Sequence, residues 1–331
     1  MDPLHHRDRR HALRWLLGLP LGLGAAAAGA QSAGAYPGAP IRIIISTPPG
    51  GGNDVVARLI GQKLTAAWGQ PVIVDARPGA SGLIAGAAVA KAAPDGLTLL
   101  VTHAALATAL ALKRNPSFRL GELAPVMRIV DTPIAFTIGT GTGARTLAEF
   151  VEAAKARPKT LSFGSYGVGT SAHLLGELLN RRAGIDLLHV PYKGEAPAVN
   201  DLLGGQVSAI FGSAGTVGPH VKAGKARIVA FANPQRVSSF PEVPTFAEAG
   251  YPELNVPGWI GLLAPAGTPR PIVDKLAAEL GRIVAMADVR QHLVEMGYEP
   301  SGTATRAFAD QLAAEVGKWE ALGRETGVSL D

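Results

Sequence analysis

The sequence contains no cysteine among its 331 residues. Disulfide bonds, thiolate metal sites and an anchor attached through a lipidated cysteine are therefore excluded. No cluster of lysine and arginine is interleaved with aromatic residues, so a nucleic-acid-binding surface is not expected. Beyond the first thirty residues, no segment is long and apolar enough to span a bilayer. These absences predict a globular protein that is stabilised by its hydrophobic core and does not bind nucleic acid.

The first thirty residues have the composition of an export signal. Four arginines precede an apolar segment, residues 15–28, and Ala28-Gly29-Ala30 matches a small-residue cleavage site. The pair Arg9-Arg10 leaves the twin-arginine route open beside general secretion. We therefore predict that residues 1–30 are a signal peptide removed near Ala30, and that the mature protein lies in the periplasm.

A glycine-rich turn between a strand and a helix dominates the mature sequence. The β-branched run Ile41–Ile45 predicts a buried strand, and Pro48 and Pro49 end it. Residues 50–52 are glycines, which permit backbone angles that other residues avoid. Asn53 is a favourable N-cap for the amphipathic helix that follows. Free backbone N–H groups and the helix dipole at such a junction predict an anion-binding site.

The second half of the chain repeats this arrangement. A short strand, residues 161–163, leads into a glycine-containing loop at residues 164–171 and a helix at residues 172–182. Along the whole chain predicted strands alternate with predicted helices, so the predicted fold class is α/β, with a mostly parallel sheet flanked by helices in each of two lobes. Ligands of such sheets bind beyond the carboxyl ends of the strands, which places the predicted ligand cleft between the lobes.

The second loop also suggests an alternative function, that of a nucleotide-dependent enzyme. Residues 167–172, GVGTSA, fit the G-x-G-x-x-A form of the dinucleotide fingerprint. That fingerprint requires an acidic residue at the end of the next strand, where this sequence has YKG at residues 192–194. His173 and Glu177 could share a metal, but a surface pair on one helix is the expected outcome of their spacing. No nucleophile is paired with a base, so no catalytic residue, metal or cofactor is predicted.

A set of ordered motifs resembles a known protein family. They are PGGGND and AR at residues 49–54 and 57–58, RPGASG at 77–82, APDG at 93–96, GTSAHL at 169–174, HVPYKG at 189–194, DLLGGQV at 201–207, PT and EAG at 244–245 and 248–250, and GLLAPAGTP at 261–269. The family is the periplasmic solute-binding component of tripartite tricarboxylate transporters, also called the Bug receptors. The resemblance runs from residue 36 to residue 331.

The resemblance implies a two-lobed type II periplasmic binding protein of the Venus flytrap kind, which closes on its ligand. It implies a small carboxylate ligand and a two-subunit membrane permease as partner. We expect a monomer in which residues 36–134 and 233–331 form one lobe and residues 135–232 form the other.

The residues predicted to bind the ligand lie in the two glycine loops and at neighbouring strand ends. They are Pro49, Gly50, Gly51, Gly52, Asn53, Asp54, Ser81, His103, Ser165, Tyr166, Gly169, Thr170, Ser171, His173, Tyr192, Lys193, Gly212 and Trp259. Two segments depart from the family pattern. Gly212 and Ser213 stand where the family often has an acidic residue and an asparagine, and residues 106–110 lack the Asn-Pro pair often seen after His103. These departures concern the identity of the ligand and not the fold.

Overall fold

The computed structural model describes residues 36–330, and the predicted signal peptide at residues 1–30 lies outside them. The strands are β1 (Ile41–Ile45), β2 (Val72–Ala76), β3 (Thr98–His103), β4 (Leu123–Thr132), β5 (Ile134–Gly139), β6 (Ser162–Ser165), β7 (Leu188–Pro191), β8 (Ala209–Ser213), β9 (Ala226–Phe231), β10 (Gly258–Pro265) and β11 (Glu299–Ala304). The α-helices are α1 (Gly52–Trp68), α2 (Leu83–Ala90), α3 (Ala105–Leu112), α4 (Leu147–Ala156), α5 (Ser171–Ala183), α6 (Glu195–Leu203), α7 (Ala214–Lys222), α8 (Arg270–Ala285), α9 (Ala287–Glu295) and α10 (Thr305–Thr326).

Two sheets form the framework. The first has six strands in the order β11-β4-β10-β3-β1-β2, and the second has five in the order β7-β6-β8-β5-β9. β1 pairs in parallel with β2 and β3, and β6 pairs in parallel with β7 and β8. The pairs of β10 with β3 and β4, of β11 with β4, and of β5 with β8 and β9 are antiparallel. The predicted α/β class is confirmed. Both sheets are mixed, since β10 and β11 in the first sheet and β5 in the second run opposite to the other strands.

The antiparallel pairs follow from the path of the chain between the sheets. β4 belongs to the first sheet and β5 to the second, and only Pro133 separates them. Pro133 has no N–H to donate, so the β-ladder breaks there. β5 therefore enters the second sheet from the side at which β6 and β8 end, and runs opposite to them. β10 enters the first sheet in the same way after the chain returns from β9.

The lobe boundaries given above remain a prediction. The boundary between residues 134 and 135 falls one residue inside β5.

The sequence patterns missed two elements. β11 has the sequence EPSGTA, which lacks the β-branched run and the alternation that mark a strand, and it forms only because β4 offers it an edge. α3 has the sequence ALATALAL, whose uniformly apolar character gives no helical period. Both elements are set by tertiary contacts and not by local pattern.

The buried face of each sheet carries large apolar side chains. In α8 the buried residues Ile272, Leu276, Leu280 and Ile283 recur every three or four positions, which gives the helix one apolar face. That face packs against the first sheet, in one core with residues of β1, β3, β4 and β10.

None of the helices within residues 36–330 is long and apolar enough to cross a membrane.

Candidate ligand-binding site

A cavity of about 420 Å³ lies between the two sheets. The side formed by the first sheet contributes Thr47, Gly52, Asn53, His103, Trp259 and Tyr298. The side formed by the second sheet contributes Ile134, Tyr166, Ser171, Gly194, Glu195 and Ser213. A larger hollow of about 770 Å³ lies between α3 and α10, but no residue of the second sheet or of the glycine loops lines it. The cavity between the sheets is therefore the candidate site, because it brings both glycine loops together at the ends of strands.

On the first side, the N-terminus of α1 reaches the cavity without a side-chain cap. Gly51 is the N-cap residue, and Gly52 and Asn53, the first residues of α1, line the cavity. The prediction that Asn53 caps this helix is wrong, because Gly51 is the N-cap residue and Asn53 lies within the first turn, where its amide donates to Ser46 Oγ at 2.8 Å. Since no side chain caps α1, the N–H groups of its first turn and the positive end of its dipole are available at the cavity wall.

The carboxylate of Asp54 braces this turn from within. Asp54 Oδ2 accepts a hydrogen bond from the Gly50 N–H at 2.9 Å, and Oδ1 accepts one from Arg58 Nε at 2.9 Å. The hydrogen bond from Arg58 holds the pKa of Asp54 below its ordinary value. Asp54 is therefore committed to the loop, and Pro49, Gly50 and Gly51 shape the turn without lining the cavity.

Trp259 and His103 form an uncharged part of the first wall. The buried Trp259 donates its Nε1–H to Glu315 Oε2 at 2.7 Å, and Trp319 Nε1 donates to Oε1 of the same carboxylate at 3.3 Å. Burial raises the pKa of Glu315 to about 6, against the lowering effect of these two hydrogen bonds. Burial also lowers the pKa of His103 to about 4, so its imidazole is neutral at neutral pH. His103 Nδ1 accepts the Ala105 N–H at 3.2 Å, which fixes its ring.

On the second side, the glycine loop uses most of its polar groups internally. Thr170 Oγ1 donates to the Gly167 carbonyl at 2.7 Å and accepts from the His173 N–H, as the N-cap of α5. The Gly169 N–H donates to His173 Nδ1 at 3.1 Å. Ser165 Oγ lies 2.7 Å from His189 Nε2. Of this loop, only Tyr166 and Ser171 line the cavity.

Tyr166 occupies the space in front of α5. Burial raises the pKa of its phenol, and the negative charge of Glu195 raises it further, while hydrogen bonds from Ser171 and the Ala172 N–H act in the opposite direction. The phenol thus lies beside the start of α5, which the side chain of Thr170 already caps. This helix N-terminus is consequently less available to a ligand than that of α1.

Glu195 places a carboxylate in the wall of the second side. Its Oε2 accepts hydrogen bonds from Ser213 Oγ at 2.9 Å and from Thr216 Oγ1 at 2.7 Å, and Oε1 accepts one from the Ser213 N–H. Ser213 is the N-cap residue of α7. The carboxylate of Glu195 therefore takes the position at the start of α7 that an anionic ligand group would otherwise occupy.

The other predicted site residues lie away from the cavity wall. Tyr192 donates its hydroxyl to Asp201 Oδ2 at 2.7 Å, and burial together with this contact raises its pKa to about 12. Lys193 and Ser81 are exposed. Gly212 lies in β8 behind Glu195, where a Cβ atom would sit 3.2 Å from Glu195 Oε1. Assignment of these residues to ligand binding stays a prediction.

Eleven of the cavity-lining residues were not among the predicted site residues, and five of these have polar side chains: Thr47, Thr132, Glu195, Ser213 and Tyr298. Glu195 directly follows the YKG sequence at residues 192–194, and no motif in the sequence points to it. Ser213 stands out in the sequence only as a departure from the family pattern. Tyr298 lies next to β11, and no local pattern could reveal it because that strand itself has none.

Within residues 36–330, His173, Glu177 and His189 form a group of side chains that could hold a metal ion. Their ligand atoms lie within 4.8 Å of one another. The two imidazole rings are stacked, with centroids 3.9 Å apart and planes within 11°. Burial lowers the pKa of both histidines, that of His189 to about 4. Because His173 Nδ1 and His189 Nε2 already bind the Gly169 N–H and Ser165 Oγ, the group serves to brace the second loop.

These features define the class of protein. Two mixed sheets flank a cavity, the chain passes between them at Pro133 and again after β9, and the cavity wall contains an open helix N-terminus beside uncharged side chains. This is the architecture of a periplasmic binding protein, a class that holds small solutes between two lobes.

The chain belongs to the tripartite tricarboxylate transporter family receptors, whose family model matches residues 56–328. This confirms the resemblance drawn from the sequence motifs.

The similarity to individual members extends over most of the chain. BugT of Bordetella pertussis is 37% identical over 305 residues, which cover 90% of this chain and 93% of BugT. The structure of Rpa4515 from R. palustris, solved with adipate, is 29% identical with a TM-score of 0.75, and the match covers 89% of this chain and 99% of that one. MatC from Rhodopseudomonas palustris, with bound malate, is 32% identical with a TM-score of 0.71, and the match covers 87% and 99%.

The alternative of a nucleotide-dependent enzyme is wrong. Membership of a receptor family makes the chain a binding protein without catalytic activity. The second loop agrees with this, because the N–H groups of Gly167 and Gly169 donate to Ser165 and His173 and are not free to hold a pyrophosphate.

Proposed function

We propose that this receptor captures a small carboxylate-bearing metabolite in the cavity between the sheets and delivers it to a two-subunit membrane permease. The observation that carries this proposal is the uncapped N-terminus of α1 at the cavity wall. Adipate and malate, the ligands of two solved relatives, are both carboxylates. The periplasm is the proposed location, supported by the signal-like residues 1–30 and by the likeness to periplasmic binding proteins.

The donors at α1 are sufficient for a useful affinity. A micromolar dissociation constant corresponds to about 8 kcal/mol. Each hydrogen bond to a charged group contributes about 1.5–3 kcal/mol, and a helix dipole adds up to ~2 kcal/mol in a partly buried geometry. The three N–H groups of the first turn of α1, at residues 52–54, therefore supply the attraction together with the helix dipole and without a buried arginine.

Binding is proposed to close the two lobes on the ligand, because a ligand that touches both sides favours the form in which they meet. A close approach between the sides supports this idea. Gly215 at the start of α7 and Gly297 before β11 pack backbone to backbone, and a Cβ atom on Gly297 would lie 2.9 Å from Gly215 Cα. Small-angle X-ray scattering should show a smaller radius of gyration with saturating ligand, and Gly215→Val should reduce that change. An unchanged radius in the wild type would contradict closure.

A thermal-shift screen tests the capture of carboxylates. Di-, tri- and monocarboxylic acids are compared with NAD and NADP, and ligand released from protein purified without refolding is identified by mass spectrometry. We expect an increase in melting temperature with carboxylates only. Stabilisation by dinucleotides alone would overturn the proposal, and cell fractionation that finds the protein in the cytoplasm would overturn its location.

A further inference from the structure

Helix N-termini reach the cavity from both sides, and they differ in whether a protein side chain already occupies them. α1 is uncapped, whereas the start of α7 is filled by the carboxylate of Glu195. Three donors hold this carboxylate: the Ser213 N–H, the Ser213 hydroxyl and the Thr216 hydroxyl. Glu195 thus behaves as a resident anion at one end of the cavity.

The number of hydrogen bonds that the Glu195 carboxylate can still accept determines which ligand group it can bind. A carboxylate accepts about four hydrogen bonds, two on each oxygen. Both positions of Oε2 are taken by Ser213 and Thr216, and one position of Oε1 is taken by the Ser213 N–H. One acceptor position on Oε1 remains, and a ligand group that fills it has to donate a hydrogen bond.

The charge of Glu195 also extends across the cavity. It raises the pKa of Tyr166 on the same side and of Tyr298 on the opposite side, in each case after the larger effect of burial. Within residues 36–330, no lysine or arginine lines the cavity to balance this charge. A second ligand carboxylate placed near Glu195 would therefore meet an unbalanced like charge, which is costly away from bulk water.

We infer that the ligand carries one carboxylate, which binds at α1, and a hydrogen-bond donor at its other end, an ammonium or hydroxyl group that binds Glu195. Glu195 is then a specificity residue that excludes dicarboxylates. Glu195, the first residue of α6, supplies a negative charge beside β8. The β8 residues Gly212 and Ser213 carry no charge themselves. This inference rests on the proposed capture of carboxylates.

Calorimetric titration with matched acids tests the inference. The six-carbon set is adipate, 6-aminohexanoate and 6-hydroxyhexanoate, and the corresponding sets with four and five carbons cover shorter ligands. We expect the wild type to bind an amino or hydroxy acid at least tenfold more tightly than the dicarboxylate of the same length. Glu195→Gln, which removes the charge and keeps the shape, should reduce that ratio at least tenfold.

Two further variants keep the test decisive. Glu195→Ala frees the donors of Ser213 and Thr216, so it should gain affinity for the dicarboxylate if the melting temperature shows that it folds. Glu152→Gln removes an equal charge on the exposed face of α4 and should leave the ratio unchanged. A wild type that prefers the dicarboxylate at every length, or a ratio that neither Glu195 variant alters, would overturn the inference and leave carboxylate capture intact. Failure of the folded wild type to bind any of these acids would overturn both.

Discussion

The two sides of the cavity use the same local structure, a strand followed by a glycine loop and a helix, in opposite ways. On the first side, the loop before α1 is braced from below by Asp54 and leaves the first turn of α1 without a cap. On the second side, Thr170 caps α5, Tyr166 lies in front of it, and Glu195 fills the start of α7. A helix N-terminus attracts anions only when the protein itself has not already satisfied it.

This difference makes the two sides of the cavity favour different ligand groups. An anion is favoured at the first side, and a donor is favoured at the second side. Neutral surfaces separate them, because Trp259 is uncharged and the low pKa of His103 keeps its imidazole neutral at neutral pH. The most direct ways to test this asymmetry are changes on each side, measured against the tightest-binding acid of the series above.

Blocking the space in front of α1 should cause the largest loss of ligand affinity. A Cβ atom on Gly52 would lie 2.3 Å from Tyr298 Oη and 3.5 Å from Ile260 Cδ1, so Gly52→Val fills the cavity in front of α1. We expect a loss of affinity of at least about a hundredfold, corresponding to ~2.7 kcal/mol. Calorimetry measures it, with Gly141→Val as control because a Cβ atom at that exposed glycine meets nothing within 4 Å. Affinity within tenfold of the wild type would place the anion site elsewhere.

The carboxylate of Glu315, which accepts a hydrogen bond from Trp259, should make the stability of the protein depend on pH. The pKa of Glu315 is raised by burial from 4.5 to about 6, so between these values the folded state binds more protons than the unfolded state. The contribution of Glu315 to the free energy of unfolding should therefore fall by about 2 kcal/mol as the pH rises through this window.

Denaturant unfolding at pH 4 to 7 measures this dependence. Glu315→Gln, which does not titrate, is the matched variant, and the difference between the two proteins isolates the carboxyl group. A difference that does not change with pH would show that Glu315 has an ordinary pKa.

A change in the second loop should lower stability more than affinity. Thr170→Ala removes the side-chain cap of α5 and the hydrogen bond to the Gly167 carbonyl. Loss of such a cap costs about 1 kcal/mol of unfolding free energy. Chemical denaturation measures the loss, and Thr146→Ala, which removes the N-cap of α4 far from the cavity, is the matched control. If Thr170→Ala weakens binding by more than tenfold while stability is unchanged, its hydroxyl contacts the ligand directly.

The smallest effect is expected at the rim of the second side. Lys193 is exposed, and a charge in that position is screened by water and salt. Lys193→Ala should therefore alter affinity by less than about twofold, at both low and physiological ionic strength. Should Lys193→Ala abolish binding while Gly52→Val has no effect, the site would depend on a side-chain ion pair and not on the helix.

The local patterns of the sequence determined most of the elements. The β-branched run of β1, the glycines before α1, and the apolar period of α8 each favour one local structure strongly, since they act through backbone conformation and the burial of one face. The ordered motifs also identified the family, which the comparison with known proteins confirms.

The tertiary structure alone decided how the two helix N-termini differ. Asn53 is a good N-cap by local chemistry, yet it lies within the first turn of α1 and its amide donates to Ser46, the residue after β1. Glu195 is an ordinary residue at the start of a helix until the fold brings Ser213 and Thr216, 18 and 21 residues away in the chain, to its oxygens. The sequence determines which groups are present and which local structures they form. Which donors remain free depends on distances between residues far apart in the chain, and only the folded chain sets those distances.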